Sequence, residues 1–231
     1  MDIEDLDNPR REIEQAIADG DGQKLLRLSG LLHGHYCPGL ALGVKAAARA
    51  VRELGAKSTG MEEIVAIVET NSCFADGVQL VTGCSLGNNA LIYRDYGKTA
   101  FTLAKRTGEG VRISAIFERV AQERSPEAAE LWEKVVVKRS GSEEESRRLT
   151  KLWKELSFKV VELHDEEVLK IEKVNVNVPA YARIFASVPC SVCGESIMEP
   201  RSRVKDGKYV CLPCSGQPYY QLAGDGMSIV G

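Results

Sequence analysis

The segment that organises the chain is LHGHYCPG, residues 32–39. It contains two of the three histidines, His33 and His35, together with Cys37. Pro38 suits the first position of a helix, and an alanine-rich run continues from it to Leu54. Because imidazole and thiol groups are soft metal ligands, the segment predicts a metal-binding or reactive cluster at a helix start.

Apolar spacing around this segment predicts the elements that carry it. Helices are expected over residues 8–19, 24–32 and 40–54. The β-branched run 63–69 predicts a buried strand. Polar residues after that strand cap a further helix, which ends near Thr82.

The remaining pattern completes a sheet and adds a charged segment. Residues 118–168 are densely charged but keep a helical apolar spacing. Strands at short intervals favour an antiparallel or mixed sheet. We therefore expect an α+β core domain over residues 1–180, with a mixed or antiparallel sheet packed with helices, and a small module over residues 181–231. Its further strands are expected at 90–93, 98–104, 111–117 and 169–178.

Four of the seven cysteines form two C-x-x-C pairs in that module. The spacing, C-x₂-C-x₁₇-C-x₂-C, is typical of a structural zinc site, because each pair can aim two sulfurs at one ion. Two disulfides or a redox dithiol pair are the alternatives, and the redox motif would be expected beside a βαβ unit. The predicted ligands of a closed Cys₄ zinc site are Cys190, Cys193, Cys211 and Cys214.

The other three cysteines lie at ends of predicted elements, where function concentrates. We expect a second metal ion in the core domain, zinc or another late transition metal, with three protein ligands and one open position. The alternative is a set of ordinary buried thiols and a satisfied histidine pair. Tentative catalytic residues are Cys37, Cys73 and Asp76, with Asn71, Ser72 and Ser85 as supporting groups. A subset of His33, His35, Cys37, Cys73 and Cys84 is predicted to bind the metal.

Composition and charge limit the classes of function. The chain has 231 residues, 44% of them apolar, and a net charge of −3, which argues against nucleic-acid binding by bulk electrostatics. It has no apolar run of about 18 residues, so no transmembrane helix is expected. The acidic start, residues 1–5, lacks an apolar signal core, and the C-x-x-C pairs favour a reducing compartment. We expect a cytoplasmic protein.

Three motifs in order resemble one protein family. Residues 33–39, 73–79 and 82–88, followed by Tyr96-Gly97-Lys98, are similar to the FmdE family, which is named after one component of formylmethanofuran dehydrogenase. The similarity covers roughly residues 25–120, and the zinc-ribbon or treble-clef-like tail matches the longer members. It implies an α+β core with a metal site built from the histidine–cysteine motif and the later cysteines, a C-terminal zinc module, and an intertwined homodimer. The molybdenum or tungsten chemistry of that enzyme belongs to its other components.

Three functions fit these observations. The first is a zinc-binding accessory or regulatory protein resembling the FmdE component of molybdenum/tungsten formylmethanofuran dehydrogenase, whose zinc module contacts a protein partner or covers the core site. The second is a stand-alone metal-dependent hydrolase or redox enzyme that uses the His/Cys site, with Asp76 moving a proton. The third is a zinc-finger regulator that acts through protein contacts. Because residues 181–231 carry five basic and four acidic side chains, direct nucleic-acid binding is not expected.

Overall fold

The computed structural model describes residues 8–231, which form two units. The first unit ends at Pro179, and the second runs from Ala180 to Gly231. The prediction that residues 1–5 carry no signal core lies outside the described residues. None of the helices that the structure describes is long and apolar enough to cross a membrane.

A five-stranded sheet forms the centre of the first unit. Its strands are β1 (Ile64–Val68), β2 (Leu91–Tyr93), β3 (Ala100–Lys105), β4 (Glu109–Ala115) and β5 (Leu169–Asn175). Their order in the sheet is β2-β1-β3-β4-β5. β1 and β2 are parallel, and the other neighbours are antiparallel. All five residues of β1 are buried, as its continuous apolar run predicts. The predicted α+β class with a mixed sheet is therefore confirmed.

Helices pack on this sheet and include the charged segment predicted to be helical. The longest of them begins with a capping box, in which the Ser142 hydroxyl accepts from the Glu145 amide and the Glu145 carboxylate accepts from the Ser142 amide. The helices are α1 (Arg11–Asp19), α2 (Gly22–His33), α3 (Pro38–Leu54), α4 (Cys73–Thr82), α5 (Phe117–Glu123), α6 (Pro126–Trp132) with a π-helical turn after it (Glu133–Val137), α7 (Glu143–Glu162) and α8 (Asp165–Val168).

Two glycines allow α3 and α4 to touch backbone to backbone. A methyl group added at Gly43 would lie 2.1 Å from the carbonyl oxygen of Phe74, and one added at Gly77 would lie 2.6 Å from the backbone nitrogen of Val44. Because both glycines lie near the start of their helices, this contact also brings the two helix starts together. The cysteines at those starts thereby become neighbours.

A partly buried ion pair joins the middle of α3 to the start of α8. The Lys45 ammonium lies 2.9 Å from the Asp165 carboxylate at the start of α8, and Arg49 and Arg52 lie near the second oxygen of that carboxylate. These cations hold the pKa of Asp165 below its usual value against the effect of burial, which raises it. Lys45 thus serves the fold.

The second unit is built from short hairpins. Asp206 and Gly207, between the paired residues Lys205 and Lys208, both have positive φ (51° and 72°), as a two-residue hairpin turn requires. In the tail, Gly226–Val230 pairs with Tyr219–Ala223 in an antiparallel ladder. The elements are β6 (Ser187–Pro189), β7 (Ser196–Met198), a 3₁₀ turn (Glu199–Arg201), β8 (Arg203–Lys205), β9 (Lys208–Val210), α9 (Leu212–Ser215), β10 (Tyr219–Ala223) and β11 (Gly226–Val230).

Candidate metal centres

Local geometry places Cys37 at the start of α3 and His33 at the end of α2. Cys37 is the N-cap residue of α3, and its sulfur accepts a hydrogen bond from the Leu40 amide at 3.5 Å. Gly34 has a left-handed φ of 84°, which ends α2 and turns the chain towards Cys37. The four-residue step from His33 to Cys37 thereby becomes a direct contact.

His33 lies between a carboxylate and a thiol. Its Nδ1 atom is 2.7 Å from Oδ2 of Asp76, and its Nε2 atom is 3.7 Å from the Cys37 sulfur. Two tetrahedral zinc ligands of these types would lie about 3.6 Å apart, given ordinary Zn–N and Zn–S bond lengths. A carboxylate on the far nitrogen of a metal-binding histidine fixes the tautomer that the metal needs. The pair therefore fits zinc.

His35 joins the same group from its exposed side. One ligand atom from each of His33, His35 and Cys37 lies within 4.8 Å of the other two. The two imidazole rings are 4.3 Å apart between centroids, and the His35 ring stacks on Trp153 of α7 at 6.3 Å. Sequence reasoning did not foresee the contact with Trp153.

Cys73 faces Cys37 from the first turn of α4. A methyl group added at Gly39 would lie 3.3 Å from Cβ of Cys73, so a glycine at that position keeps the two thiols close. The hydrogen bond between the thiols, assisted by the neighbouring imidazoles, lowers the pKa of Cys73 to about 6 despite its burial. The same hydrogen bond, together with burial, raises the pKa of Cys37. Both sulfurs lie at helix starts, where the helix dipole favours a thiolate.

Cys84 lies elsewhere. It is fully buried, and its sulfur donates to the carbonyl oxygen of Ile64 at 3.8 Å. α4 has ten residues, so its length separates Cys84 from Cys73 by about 15 Å. Burial raises the pKa of Cys84 to about 11, which keeps the thiol protonated. The structure does not bring Cys84 into the histidine group.

The predicted supporting residues have separate roles. Asp76 contacts His33, and its other oxygen accepts a hydrogen bond from Gln79 at 3.2 Å. Ser85 exchanges hydrogen bonds with Asn88 inside the loop after α4, away from the group. Ser72 is the N-cap residue of α4 but makes no side-chain capping bond.

A cavity of about 380 Å³ opens beside the two thiols. Sequence reasoning missed the residues of its far wall, which come from the charged segment without a motif. The available signal was the pair of tryptophans, the only two in the chain, both inside that segment. The residues that line the cavity include Cys37, Cys73, Phe117, Arg124, Trp132 and Trp153.

The second unit gathers four sulfurs. Those of Cys190, Cys193, Cys211 and Cys214 all lie within 4.8 Å of one another. The Cys193 and Cys211 sulfurs are 3.9 Å apart, close to the separation of about 3.8 Å expected of tetrahedral zinc thiolates. Gly194 and Gly216, in left-handed conformation after each pair, complete the two turns. The Cys190 sulfur accepts from the Cys211 amide at 3.3 Å, and backbone amides lower the pKa of Cys190 to about 6.

Comparison with known families agrees with the division of the chain into two units. Residues 32–170 match the family described as FmdE, molybdenum formylmethanofuran dehydrogenase operon. The chain belongs to the FmdE family. Residues 183–220 match the prokaryotic dksA/traR C4-type zinc finger, so the second unit is a zinc module, as predicted.

Two further proteins are similar to this FmdE-family chain. A protein of Archaeoglobus fulgidus described as a probable S-adenosyl-L-methionine-binding protein is 44% identical over 219 residues, which are 93% of this chain and 58% of that protein. This chain thus spans under two thirds of the length of that relative. The crystal structure of a tungsten formylmethanofuran dehydrogenase FmdE-like protein from Syntrophus aciditrophicus superimposes with a TM-score of 0.54 at 24% identity, over 86% of this chain and 94% of that one. That likeness shows a shared fold.

Proposed function

We propose that this protein is a metal-binding accessory or regulatory protein with two zinc ions, one structural and one in the core. The core ion is held by His33, His35 and Cys37. One observation carries this proposal: the His33 imidazole lies between the Asp76 carboxylate and the Cys37 thiol at distances that suit a zinc ligand. The two units correspond in this proposal to domains 1–180 and 181–231.

Three protein ligands leave a fourth coordination position, as in sites that act on a ligand. Cys73 lies next to Cys37 and lines the cavity, so we assign it to the edge of that position. A metal bound there would supply a Lewis acid to an atom of a small molecule in the cavity. The protein's own contribution is a pair of helix starts that stabilise thiolates and an apolar wall that limits access of water.

Asp76 acts through His33 in this proposal. Its Oδ2 atom contacts Nδ1 of His33, on the side of the ring away from Cys37. That contact makes Asp76 a positioning residue, since it sets the tautomer of a ligand. A role in moving a substrate proton would belong to the second candidate function, a metal-dependent enzyme, which the cavity beside the thiols favours.

The accessory role follows from the family and from one exposed surface. Tyr220, Leu222, Met227 and Ile229 share one face of the β10–β11 hairpin and are 75%, 49%, 46% and 66% exposed. A two-stranded hairpin is marginal alone in water, so an apolar face on it needs a partner. We propose that this face mediates homodimer formation or contact with a protein partner. A cytoplasmic location, where thiols stay reduced, suits all seven free cysteines.

Binding of S-adenosyl-L-methionine is a property to be tested. The name of the Archaeoglobus relative concerns the whole of that protein, and 58% of it is matched here. Calorimetric titration of this chain with S-adenosyl-L-methionine separates two cases. Binding would assign the property to the shared part, whereas no heat would assign it to the part of the relative that has no counterpart in this chain.

Counting zinc after reconstitution tests the proposal. The wild-type chain should bind two ions, and both His33→Ala and Cys37→Ser should bind one. Cys84→Ser is the matched control, because Cys84 is a buried thiol outside the group, and it should keep two. Two ions in the His33→Ala and Cys37→Ser variants, or one ion in the wild type, would contradict the core site.

A further inference from the structure

The cavity beside the thiols has the composition of a small-molecule site. Its volume of about 380 Å³ lies in the range of ligand pockets, which is about 300–1,000 Å³. The start of α3 and the start of α4 form one wall. Phe117, Trp132 and Trp153, from α5, α6 and α7, supply three aromatic rings to the rest. Aromatic rings on several sides of a cavity favour a flat ring, which stacks or packs edge-on.

One cation lines this apolar cavity without an anionic partner among the described residues. The Arg124 guanidinium lies 5.8 Å from the centre of the Trp132 ring. Within residues 8–231 it has no hydrogen-bond acceptor and no carboxylate partner. By contrast, Arg112 and Arg119 in the same unit each pair with two carboxylates. An unpaired guanidinium at a cavity wall is a ready site for a planar anion such as a carboxylate.

We infer that this cavity binds a planar aromatic anion, with its ring beside Trp132 and Trp153 and its anionic group on Arg124. The ligand class is an aromatic or heteroaromatic carboxylate. The inference deepens the proposed function, on which it rests only for the metal at one end of the cavity. His35 links the two regions, because its ring belongs to the metal-binding group and stacks on Trp153.

The two tryptophans provide a direct readout. Each gives one indole N–H signal in a ¹H–¹⁵N spectrum, and Trp132→Phe and Trp153→Phe assign them. The probe is 2-naphthoate, and the control ligand is 2-naphthylmethanol, which has the same ring system without the charge. We expect 2-naphthoate to shift both indole signals saturably and to bind more tightly than the alcohol. No shift of either signal, or equal affinity for the two compounds, would overturn the inference.

Arg124→Gln tests the anionic contact. Loss of a charge-assisted hydrogen bond should weaken 2-naphthoate binding roughly tenfold or more and leave the alcohol unchanged. Arg124→Lys, which keeps the charge, should recover part of the affinity. Arg147→Gln is the matched control, since Arg147 pairs with Glu143 on the exposed side of α7. Unchanged 2-naphthoate affinity in Arg124→Gln would contradict the assignment.

A second arm separates this inference from the proposed function. The titration is repeated on His33→Ala, whose zinc content is measured in parallel. If the zinc count falls to one and His33→Ala still binds 2-naphthoate more tightly than 2-naphthylmethanol, both ideas stand. If the zinc count stays at two while this preference for 2-naphthoate holds, the proposed core site fails and the ligand class stands. If the zinc count falls and the preference is absent, the ligand class alone fails.

Discussion

The two cysteine-containing groups differ in what surrounds them. The four sulfurs of the second unit lie among hairpins of three-residue strands, where Cys190 and Val210 are the buried apolar residues among the described side chains of that unit. The His33–Cys37 group lies instead on α2 and α3, which are anchored in a large core. The four-cysteine group therefore has little hydrophobic core around it, whereas the His33–Cys37 group is attached to a unit with a large core.

This difference indicates opposite relations between metal and structure. In the second unit the ion must replace a hydrophobic core, so binding energy is folding energy. In the first unit the close contact of α3 and α4 at Gly43 and Gly77 positions the group through core packing. We therefore expect metal binding there to contribute less to folding than it does in the second unit. The closed set of four thiolates and the proposed three-ligand set beside a cavity follow the same division.

Removal of the structural ion should have the largest effect. Structural zinc in finger modules is worth about 10–16 kcal/mol, so Cys211→Ser should unfold residues 180–231. The core unit should stay folded. The measurement is a ¹H–¹⁵N spectrum, in which signals of the second unit collapse to unfolded positions and those of the first unit persist. The control is Ser191→Ala, because Ser191 is an exposed neighbour in the first turn. Dispersed second-unit signals in Cys211→Ser would contradict the claim that the zinc ion keeps this unit folded.

Gly43→Ala should test the claim that packing builds the core site. The added methyl group would meet the Phe74 carbonyl oxygen at 2.1 Å, so α3 and α4 must separate. We expect a loss of about 1–3 kcal/mol in the free energy of unfolding, measured by urea denaturation, and a weaker core metal site. Gly87→Ala, with no atom within 4 Å of the added carbon, should change stability by less than about 0.5 kcal/mol. Equal stability of the two variants would refute the packing argument.

Asp76→Asn should have a smaller and more local effect. Loss of the carboxylate on Nδ1 of His33 should lower the affinity of the core site for zinc about 10–100-fold, while the zinc of the second unit is unaffected. Competition with a chromophoric chelator measures both affinities. Gln79→Ala keeps the contact between Asp76 and His33 and should stay close to wild type. If Asp76→Asn also stayed close to wild type, Asp76 would not position His33.

The sequence predicted those features whose signals are local. The C-x-x-C spacing, the helix start at Pro38 and the buried run of β1 each depend on a few neighbouring residues, and the zinc module and the α+β class were confirmed. The position of Cys84 was a different case, because the length of the predicted helix before it already implied about 15 Å from Cys73. Counting the residues of that helix would have excluded Cys84 from the predicted metal ligands.

The cavity could not be predicted in the same way. Trp132 and Trp153 belong to helices whose spacing shows an amphipathic face but not what that face packs against. Their meeting with Cys37, over 90 residues away in the chain, depends on how α6 and α7 fold back onto α3. Such long-range packing leaves no motif in a single sequence. The only sign of the cavity in the sequence was that both tryptophans lie in one charged helical segment.

Zinc K-edge X-ray absorption of Cys211→Ser tests the central claim most directly, because that variant should hold zinc in the core site alone. The expected spectrum shows zinc with imidazole nitrogen at about 2.0–2.1 Å and sulfur at about 2.3 Å. Zinc surrounded by sulfur alone, or no zinc retained after reconstitution, would contradict a histidine–cysteine centre in the core.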